Sequence, residues 1–348
     1  MPTPATTSPP DSGHAHSSEP RWLRLVAVPV MLAVGALAAV QSQVNSELAE
    51  ALGGDAVSGI TAALMSFGGG LVLLCAGIGM SPAMRAGLRR VRISVRGGAL
   101  SWWQVVGGAA GAFVVATQGL TVGTIGVALF TVALVGGQTA SSLAVDQRGL
   151  GPAGPTPVTT LRAVGAALAV GAVALSASER LSGSNALSAA AVALAVLPLL
   201  AGAGIAWQQA VNGVVSQTGG PWAATWLNFA VGTAVLLAAT GIALLVQGTT
   251  GAFPSHWWMY SGGAFGVLFI CAAAVLVRVL GVLILGLCIV TGQVAGSLAL
   301  DHLMGAANPG PLTIIGAVVA LAGVLLAGLG SLRTRRQSRV SEPSAGAD

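Results

Sequence analysis

The sequence predicts an all-α integral membrane protein with ten transmembrane helices, arranged as two inverted repeats of five helices each. Three observations support this fold class: few charged residues, ten apolar segments long enough to cross a bilayer, and an internal duplication. Charged residues make up 7% of the 348 positions and hydrophobic residues 54%, and the mean hydropathy is +0.84. Because soluble domains carry about 25% charged residues, this composition excludes a soluble domain.

The predicted spans follow from apolar length, since a helix needs about 20 apolar residues to cross the hydrocarbon core. The stretches 103–145 and 257–300 are each too long for one span. We interpret each as a hairpin of two helices, interrupted near Gly123 or Arg278. The ten predicted spans, in chain order, are residues 23–46, 56–79, 103–121, 124–145, 162–178, 186–211, 222–246, 257–277, 280–300 and 312–331.

The arginines indicate how these spans are oriented. The chain has no lysine, and its fifteen arginines are grouped in short clusters between apolar segments. Cytoplasmic loops of membrane proteins collect positive charge, and with the N-terminus inside, every arginine except Arg180 faces the cytoplasm. Both termini are therefore predicted to be cytoplasmic, with disordered tails at 1–20 and 332–348 and an external linker at 179–185. A nucleic-acid interface is not expected, because the basic residues form no continuous stripe.

The two halves of the chain share rare residues in register. At an offset of 155 positions, WWQVVGGAAG aligns with WWMYSGGAFG, and Gln138 and Asp146 align with Gln293 and Asp301. At offsets of 167 and 162, QSQVN aligns with QQAVN, and SFGGG with NFAVG. These matches indicate that the chain arose by duplication of a five-helix unit.

The charge pattern favours an inverted arrangement of the two repeats, 21–178 and 186–331. An odd number of spans per repeat makes the second copy enter the membrane from the opposite side. The loop between predicted helices 2 and 3 carries five arginines, whereas its counterpart between helices 7 and 8 carries none. Inverted repeats of this kind are typical of secondary transporters.

Several motifs resemble a known family. AVQSQVNSELA followed by SFGGG, then GGQTASSLAVDQRGLGP and an RAVGAALAVGAVAL segment that begins at Arg162, look like the YdcZ-like branch of inner-membrane exporters in the drug/metabolite transporter (DMT) superfamily. The resemblance covers residues 21–331 and implies an EamA-like fold made of two fused five-helix halves in the inner (cytoplasmic) membrane of the cell. The second half lacks an arginine equivalent to Arg162, which favours a cytoplasmic anchoring role for that residue. The resemblance implies export but names no substrate.

Two pairs of amides are the first candidate binding residues. Gln41 and Asn45 are four positions apart, as are Gln208 and Asn212, so each pair shares one helix face. An unpaired amide costs roughly 2–7 kcal/mol to bury in an apolar medium, so neither pair is expected to face lipid. One interpretation is hydrogen bonding between helices. The other is that both pairs line a central cavity and bind substrate.

A second repeated set of polar residues lies near the ends of predicted helices 4 and 9. Gln138, Ser142 and Asp146 share one face, and the second half repeats them with Gln293 and Asp301. The glutamines are interpreted as further substrate-binding residues. Each aspartate is a possible protonatable gate, or else it is bonded to backbone or to a neighbour such as His302 at the membrane surface. Proton coupling would require these aspartates, or Glu47 or Glu50, to act from near a surface.

Aromatic residues complete the candidate site. Phe67 and Phe229 occupy equivalent positions in the two halves, and Trp207 precedes Gln208. We expect these three to flank the cavity. The tryptophans near predicted helix ends are expected to be interfacial anchors: Trp102, Trp103, Trp222, Trp257 and Trp258.

The function that these features favour is a secondary carrier, an exporter of a small organic metabolite or drug. No glycine-rich segment has the strand and helix context of a phosphate loop, and the sequence shows no His/Cys/Asp metal cluster and no nucleophile–base pair. We therefore expect no nucleotide, cofactor, metal or enzymatic activity. The alternative is a non-transporting membrane scaffold or a lipid-handling membrane protein, for which Asp301 and His302 are the adjacent acid and base. The expected partners are a small-molecule substrate and the lipid bilayer. The expected state is a monomer of two fused halves or a homodimer.

Overall fold

Helices joined by short loops, without a strand, make up the part of the chain that the structure, a computed structural model, describes: residues 21–181, 193–248, 250–303 and 311–340. In chain order the α-helices of this part are α1 (Arg21–Ala51), α2 (Ala56–Met80), α3 (Pro82–Arg96), α4 (Gly108–Gln147), α5 (Thr160–Leu181), α6 (Val196–Gly219), α7 (Pro221–Gln247), α8 (Gly262–Leu280), α9 (Val282–Leu303) and α10 (Pro311–Val340). Two short 3-10 helices, Trp102–Val105 and Trp257–Tyr260, precede α4 and α8. The predicted all-α class is confirmed.

Several helical segments are long and apolar enough to cross a membrane. Shorter apolar stretches lie in α4, α5 and α10. Within the described ranges, five segments have the length and apolar composition that a membrane-spanning helix requires: Val26–Ala51, Ala56–Met80, Pro221–Val246, Trp257–Leu280 and Val282–Leu300. These segments match the first, second, seventh, eighth and ninth predicted spans, so the chain is a multi-pass membrane protein.

The arginine-rich segment after α2 is a helix, where only a loop was expected. Ser81 is the N-cap of α3, its hydroxyl accepting a hydrogen bond from the Met84 backbone N–H, and Pro82 occupies the first helical position. Serine followed by proline is a typical helix start. The apolar residues of this segment recur at helical spacing: Leu88, Val91 and Val95. The high charge of the segment had favoured a loop.

Residues 103–145 do not separate into two helices with an interruption near Gly123. Residues Gly108–Gln147 are helical without an intervening loop. Nevertheless Val114 packs against Phe130, and in a straight helix positions this far apart would be about 24 Å apart. The chain therefore reverses direction within Gly108–Gln147, as the predicted hairpin requires, with no non-helical segment at the turn.

The corresponding reversal in the second half has a clear break. Gly281, with φ of 77°, separates α8 from α9, three positions beyond the interruption predicted near Arg278. Glycine adopts this left-handed conformation without the strain that a side chain would bring. The break places the N-terminus of α9 inside the helical bundle.

Close helix crossings join the first half of the chain to the second. Gly35 of α1 meets Gly292 of α9, where a Cβ on Gly35 would lie 2.6 Å from the Ile289 carbonyl oxygen. At the equivalent positions, Gly202 of α6 and Gly137 of α4 lie against the backbone of the opposite helix. Small residues allow helix backbones in membranes to approach this closely.

Two helix ends differ from the predicted boundaries. The sixth span was predicted as 186–211, but α6 runs to Gly219 and ends at Gly220 before Pro221, while residues 182–192 lie outside the described part. At the C-terminus, α10 continues to Val340, beyond the predicted tail start at 332, because no glycine or proline stops the helix there.

Candidate functional site

Two phenylalanines meet between α2 and α7. The ring centroids of Phe67 and Phe229 are 5.2 Å apart, with an angle of 36° between the ring planes. Phe229 is buried and Phe67 half-buried. Each ring fills the space over a glycine of the opposite helix, Phe67 over Gly232 and Phe229 over Gly70. The aromatic pair therefore lies where the two halves of the chain interlock.

The amides of α6 lie beside this aromatic pair. Gln208 and Asn212 are both buried, and both donate to the side-chain oxygen of Asn228, over 2.7 Å and 2.9 Å respectively. They face a glycine surface at the start of α4, where a Cβ on Gly107 would lie 2.9 Å from Asn212 Oδ1. At Gly111 a Cβ would lie 3.5 Å from Gln208 Nε2. A Cβ at Gly107 would crowd the Asn212 amide, whereas one at Gly111 would make ordinary van der Waals contact with Gln208.

The amides of α1 occupy the equivalent place on the other side of the aromatic pair. Gln41 and Asn45 are half-buried and face Gly266 and Gly262 of α8. A Cβ on Gly266 would lie 2.7 Å from Gln41 Nε2 and 3.1 Å from Phe229 Cζ. Asn45 converges on Gly262 together with the hydroxyl of Ser66. Both amide pairs thus lie between a helix of the first half and a helix of the second.

Several polar atoms in these two clusters lack a hydrogen-bond partner among the described residues. They are Asn45 Oδ1, Ser66 Oγ, Gln208 Oε1 and Asn228 Nδ2, and all four are buried. An unsatisfied buried donor or acceptor costs about 1–3 kcal/mol. The hydrogen bonds to Asn228 fit the interpretation of amides that join helices, whereas the unpaired atoms are available to a bound molecule.

Trp207, expected beside the cavity, stacks on Trp103. Their ring centroids are 6.4 Å apart with an angle of 29° between the planes. Trp103 was expected to be an interfacial anchor, and it is half-buried against Trp207. In contrast, Trp102 and Trp257 are 72% and 81% exposed, as expected of residues that face a membrane interface.

A third polar cluster surrounds Gln138 on α4. A Cβ on Gly286 of α9 would lie 3.1 Å from Gln138 Nε2, 3.7 Å from Gln209 Oε1 and 3.7 Å from Ser142 Oγ. The Gln138 and Gln209 atoms are buried and unpaired among the described residues. The second copy differs, since Gln293 is half-buried. The sequence match at this position therefore does not produce two equivalent environments.

Asp146 forms a buried ion pair with Arg162. Its carboxylate accepts from the Arg162 guanidinium and from the backbone N–H groups of Val282 and Leu283, at 2.8 Å and 3.1 Å. The aspartate thereby caps the N-terminus of α9, where negative charge is favoured. The carboxylate thus joins α4, α5 and α9, and the alternative role of Asp146 as a protonatable gate stays a prediction. The side chain of Asp301 lies outside the described part, and His302 is exposed.

The predicted anchoring role of Arg162 is corrected by the same contacts. Its side chain is 1% exposed and also donates to the carbonyl oxygens of Thr156 and Pro157. Asp146 and Arg162 are sixteen positions apart, and only the fold brings their charges together. The second half lacks an equivalent arginine, so sequence comparison of the halves gave no sign of this pair.

Three further residues of these clusters were not among the predicted site residues: Ser66, Gln209 and Asn228. Ser66 and Asn228 are equivalent, each directly preceding the phenylalanine of its half. A signal was therefore present in the duplication. The glycine partners were also visible, since GGAAG and GGAFG align in the two halves, but their contact with the amides depends on the helix crossings.

Comparison with known proteins gives one family and a set of solved structures. A family model described as "Putative inner membrane exporter, YdcZ" matches residues 26–175 and 193–326. One similar solved structure, described only as the crystal structure of a protein, shares 16% sequence identity with a TM-score of 0.56, over 90% of this chain and 99% of its own. At that identity the likeness concerns the fold alone. No curated protein sequence matches the chain.

Proposed function

This chain belongs to the YdcZ family of inner-membrane exporters, and on that premise we propose that it exports a small organic molecule by alternating access between its two halves. One observation carries the proposal: Phe67 and Phe229 meet between the halves, with one amide pair on each side. The family is the one that the sequence motifs indicated. A site at this contact agrees with carriers of inverted repeats, which bind substrate at the interface between the repeats.

The reciprocal contacts support an inverted-repeat arrangement. Asn45 faces Gly262 as Asn212 faces Gly107, and the offsets that relate these residues are those of the sequence duplication. Contacts that are exchanged between two halves are expected of a pseudo-two-fold axis. Such an axis relates inward-open and outward-open states of similar free energy, which a carrier needs.

The substrate contacts that we infer come from neutral groups. The candidate binding residues are Gln41, Asn45, Gln138, Gln208, Asn212, Gln293, Phe67, Phe229 and Trp207. Ser66 and Asn228 join them, because they converge on the same glycines and amides. The amides offer donors and acceptors to a polar part of the substrate, and the aromatic rings offer an apolar surface.

The packed glycine crossings represent a closed state of the transport pathway. Asn45 lies against Gly262 and Asn212 against Gly107 with no room for a methyl group. In the proposed mechanism, substrate enters when α1 separates from α8 or when α6 separates from α4. Because both amide pairs lie at contacts between halves, each opening exposes one pair.

We place both termini in the cytoplasm and the chain in the cytoplasmic membrane, with no bound cofactor.

The test is transport by the purified chain in liposomes, with a panel of metabolites and cationic drugs. We expect flux of at least one compound in the wild type and its loss when Gln41 and Gln208 are both replaced by leucine. Gln43→Leu and Gln217→Leu serve as matched controls, because they lie on the same helices α1 and α6 and bond only Glu47 and the Pro152 carbonyl.

Two results would contradict this proposal. Flux that survives replacement of both glutamines would remove the amide pairs from the pathway. Absence of flux with every compound would favour the membrane scaffold or lipid-handling alternative. Cysteine labelling from each side at Gln41 and Asn212 provides an independent readout, since a carrier exposes these positions alternately.

A further inference from the structure

Helix α3 has one face packed against the protein. Gly87 and Val91 are its buried residues, and Gly87 touches the backbone of Gly219 at the corner between α6 and α7. Val91 packs with Ala223 in the same apolar cluster. Arg90 reinforces this contact by donating to the carbonyl oxygens of Thr218 and Gly219, over 3.2 Å and 3.4 Å. The helix is therefore fixed to the α6–α7 corner.

The opposite face of α3 is strongly basic. At about 100° per residue, four of its arginines lie within roughly 60° of one another around the helix. One of them, Arg85, donates to the carbonyl oxygens of Ile78 and Gly79. The remaining three, which we call the outer arginine face, are Arg89, Arg92 and Arg96, and all three are exposed. Within the described part of the chain, the outer arginine face makes no hydrogen bond or ion pair with protein groups.

The described carboxylates leave the outer arginine face without a counter-charge. Asp146 is buried and paired with Arg162. Asp55 caps the far end of α2, and a helix of that length spans about 37 Å. Glu47 and Glu50 lie next to that same distant end. Neutralisation of the three arginines therefore has to come from groups other than these.

Exposed apolar side chains place the outer arginine face at the surface of the membrane. The transmembrane helix α2 ends at Met80, and α3 begins after a single intervening residue. Met80 is 80% exposed, and Ile93, among the arginines of α3, is 60% exposed. Cations next to exposed apolar residues are typical of helices that lie in the interface between lipid and water. A freely soluble anionic partner would leave these apolar side chains in water.

We propose that the outer arginine face binds the phosphate groups of anionic phospholipids at the membrane surface. The guanidinium groups supply planar donors suited to phosphate oxygens, and Ile93 and Met80 insert among the acyl chains. Because α3 is fixed to the α6–α7 corner, bound lipid holds that corner at the level of the headgroups. This role is independent of the identity of the exported molecule.

The test uses the purified full-length chain in detergent, with added dioleoylphosphatidylglycerol or dioleoylphosphatidylcholine. Native mass spectrometry counts the lipids retained. We expect the wild type to retain phosphatidylglycerol in preference to phosphatidylcholine. The triple variant Arg89→Gln/Arg92→Gln/Arg96→Gln is expected to lose on the order of tenfold or more in phosphatidylglycerol affinity, since each basic residue near an anionic surface adds to the attraction.

Matched control variants distinguish an effect of the outer arginine face from an effect of the net charge of the chain. The variant Arg333→Gln/Arg335→Gln/Arg336→Gln removes the same charge from the C-terminal end of α10 and is expected to keep the preference. The variant Arg89→Lys/Arg92→Lys/Arg96→Lys keeps the charge and is expected to retain most of the affinity. An equal loss in the C-terminal variant, or full retention in the glutamine variant, would overturn the proposal.

A measurement on the wild type covers the case in which the glutamine variant does not fold. Salt at roughly 0.5 M shortens the screening length to about 4 Å. We expect the preference for phosphatidylglycerol to fall at this salt concentration. A preference that is unchanged by salt, or no preference at low salt, would contradict binding by the outer arginine face.

Discussion

Asp146 accepts a hydrogen bond from the guanidinium of Arg162 at a site where the two residues are 3% and 1% exposed. The same carboxylate accepts hydrogen bonds from the first two backbone N–H groups of α9, those of Val282 and Leu283. One acidic side chain therefore joins three helices. The role of Asp146 as a protonatable gate stays a prediction.

Removing one member of this ion pair is expected to be strongly destabilising. Arg162→Met leaves the Asp146 carboxylate buried without its partner, which costs about 3–5 kcal/mol. The double variant Asp146→Asn/Arg162→Met is expected to recover part of the loss, because the asparagine oxygen still accepts from the Val282 N–H. Thermal unfolding in detergent measures both. Equal destabilisation in the single and double variants would argue against the charge as the cause.

Asn228→Leu is expected to destabilise the site by about 1–3 kcal/mol for each donor left unpaired. The donors are the side chains of Gln208 and Asn212, which both bond the Asn228 oxygen. Ser66→Ala is the matched control at the equivalent position of the first half, where the hydroxyl is unpaired. Unfolding of the two variants under the same conditions checks the difference. A larger effect at Ser66 would contradict the assigned hydrogen bonds.

Adjacent glycines of α4 are expected to respond differently to alanine. A Cβ on Gly137 would collide with the Leu199 backbone of α6, whereas one on Gly136 would meet nothing within 4 Å. Gly137→Ala is expected to lower the unfolding temperature and the yield of folded protein. Gly136→Ala is expected to be neutral or slightly stabilising, since alanine favours the helix by up to about 1 kcal/mol. Similar behaviour of the two variants would be evidence against this crossing.

Phe67 and Phe229 are expected to act together in transport. Each single alanine variant removes one ring of a pair whose centroids are 5.2 Å apart. A double-mutant cycle should give an interaction free energy between the two rings of about 0.5–1.5 kcal/mol. Flux into liposomes is expected to fall in both single variants. Phe253→Ala, which changes an exposed phenylalanine outside the pair, serves as the control. Additive effects of the two substitutions would show that the rings do not cooperate.

Much of the fold could be predicted because it depends on local properties. Helix length follows from apolar composition, so α2 and α7 match their predicted spans within two residues. The ends of some other helices were predicted less accurately. The sixth span was predicted to end at residue 211, whereas α6 continues to Gly219 and contains Asn212, whose amide bonds Asn228. The α3 helix was missed because its charge was considered without its cap.

The sequence by itself determined that this chain is a helical membrane protein of the YdcZ family and that its amides and aromatics occur in matched pairs. The length of an apolar segment and the repetition of a motif are properties of the sequence alone and do not depend on the fold. Only the tertiary structure decided which polar groups meet. It joined Asp146 to Arg162, and it placed Gln41 and Gln208 against glycines of the opposite half. These contacts depend on helix crossings within a few ångströms, where a single methyl group decides whether two backbones can approach.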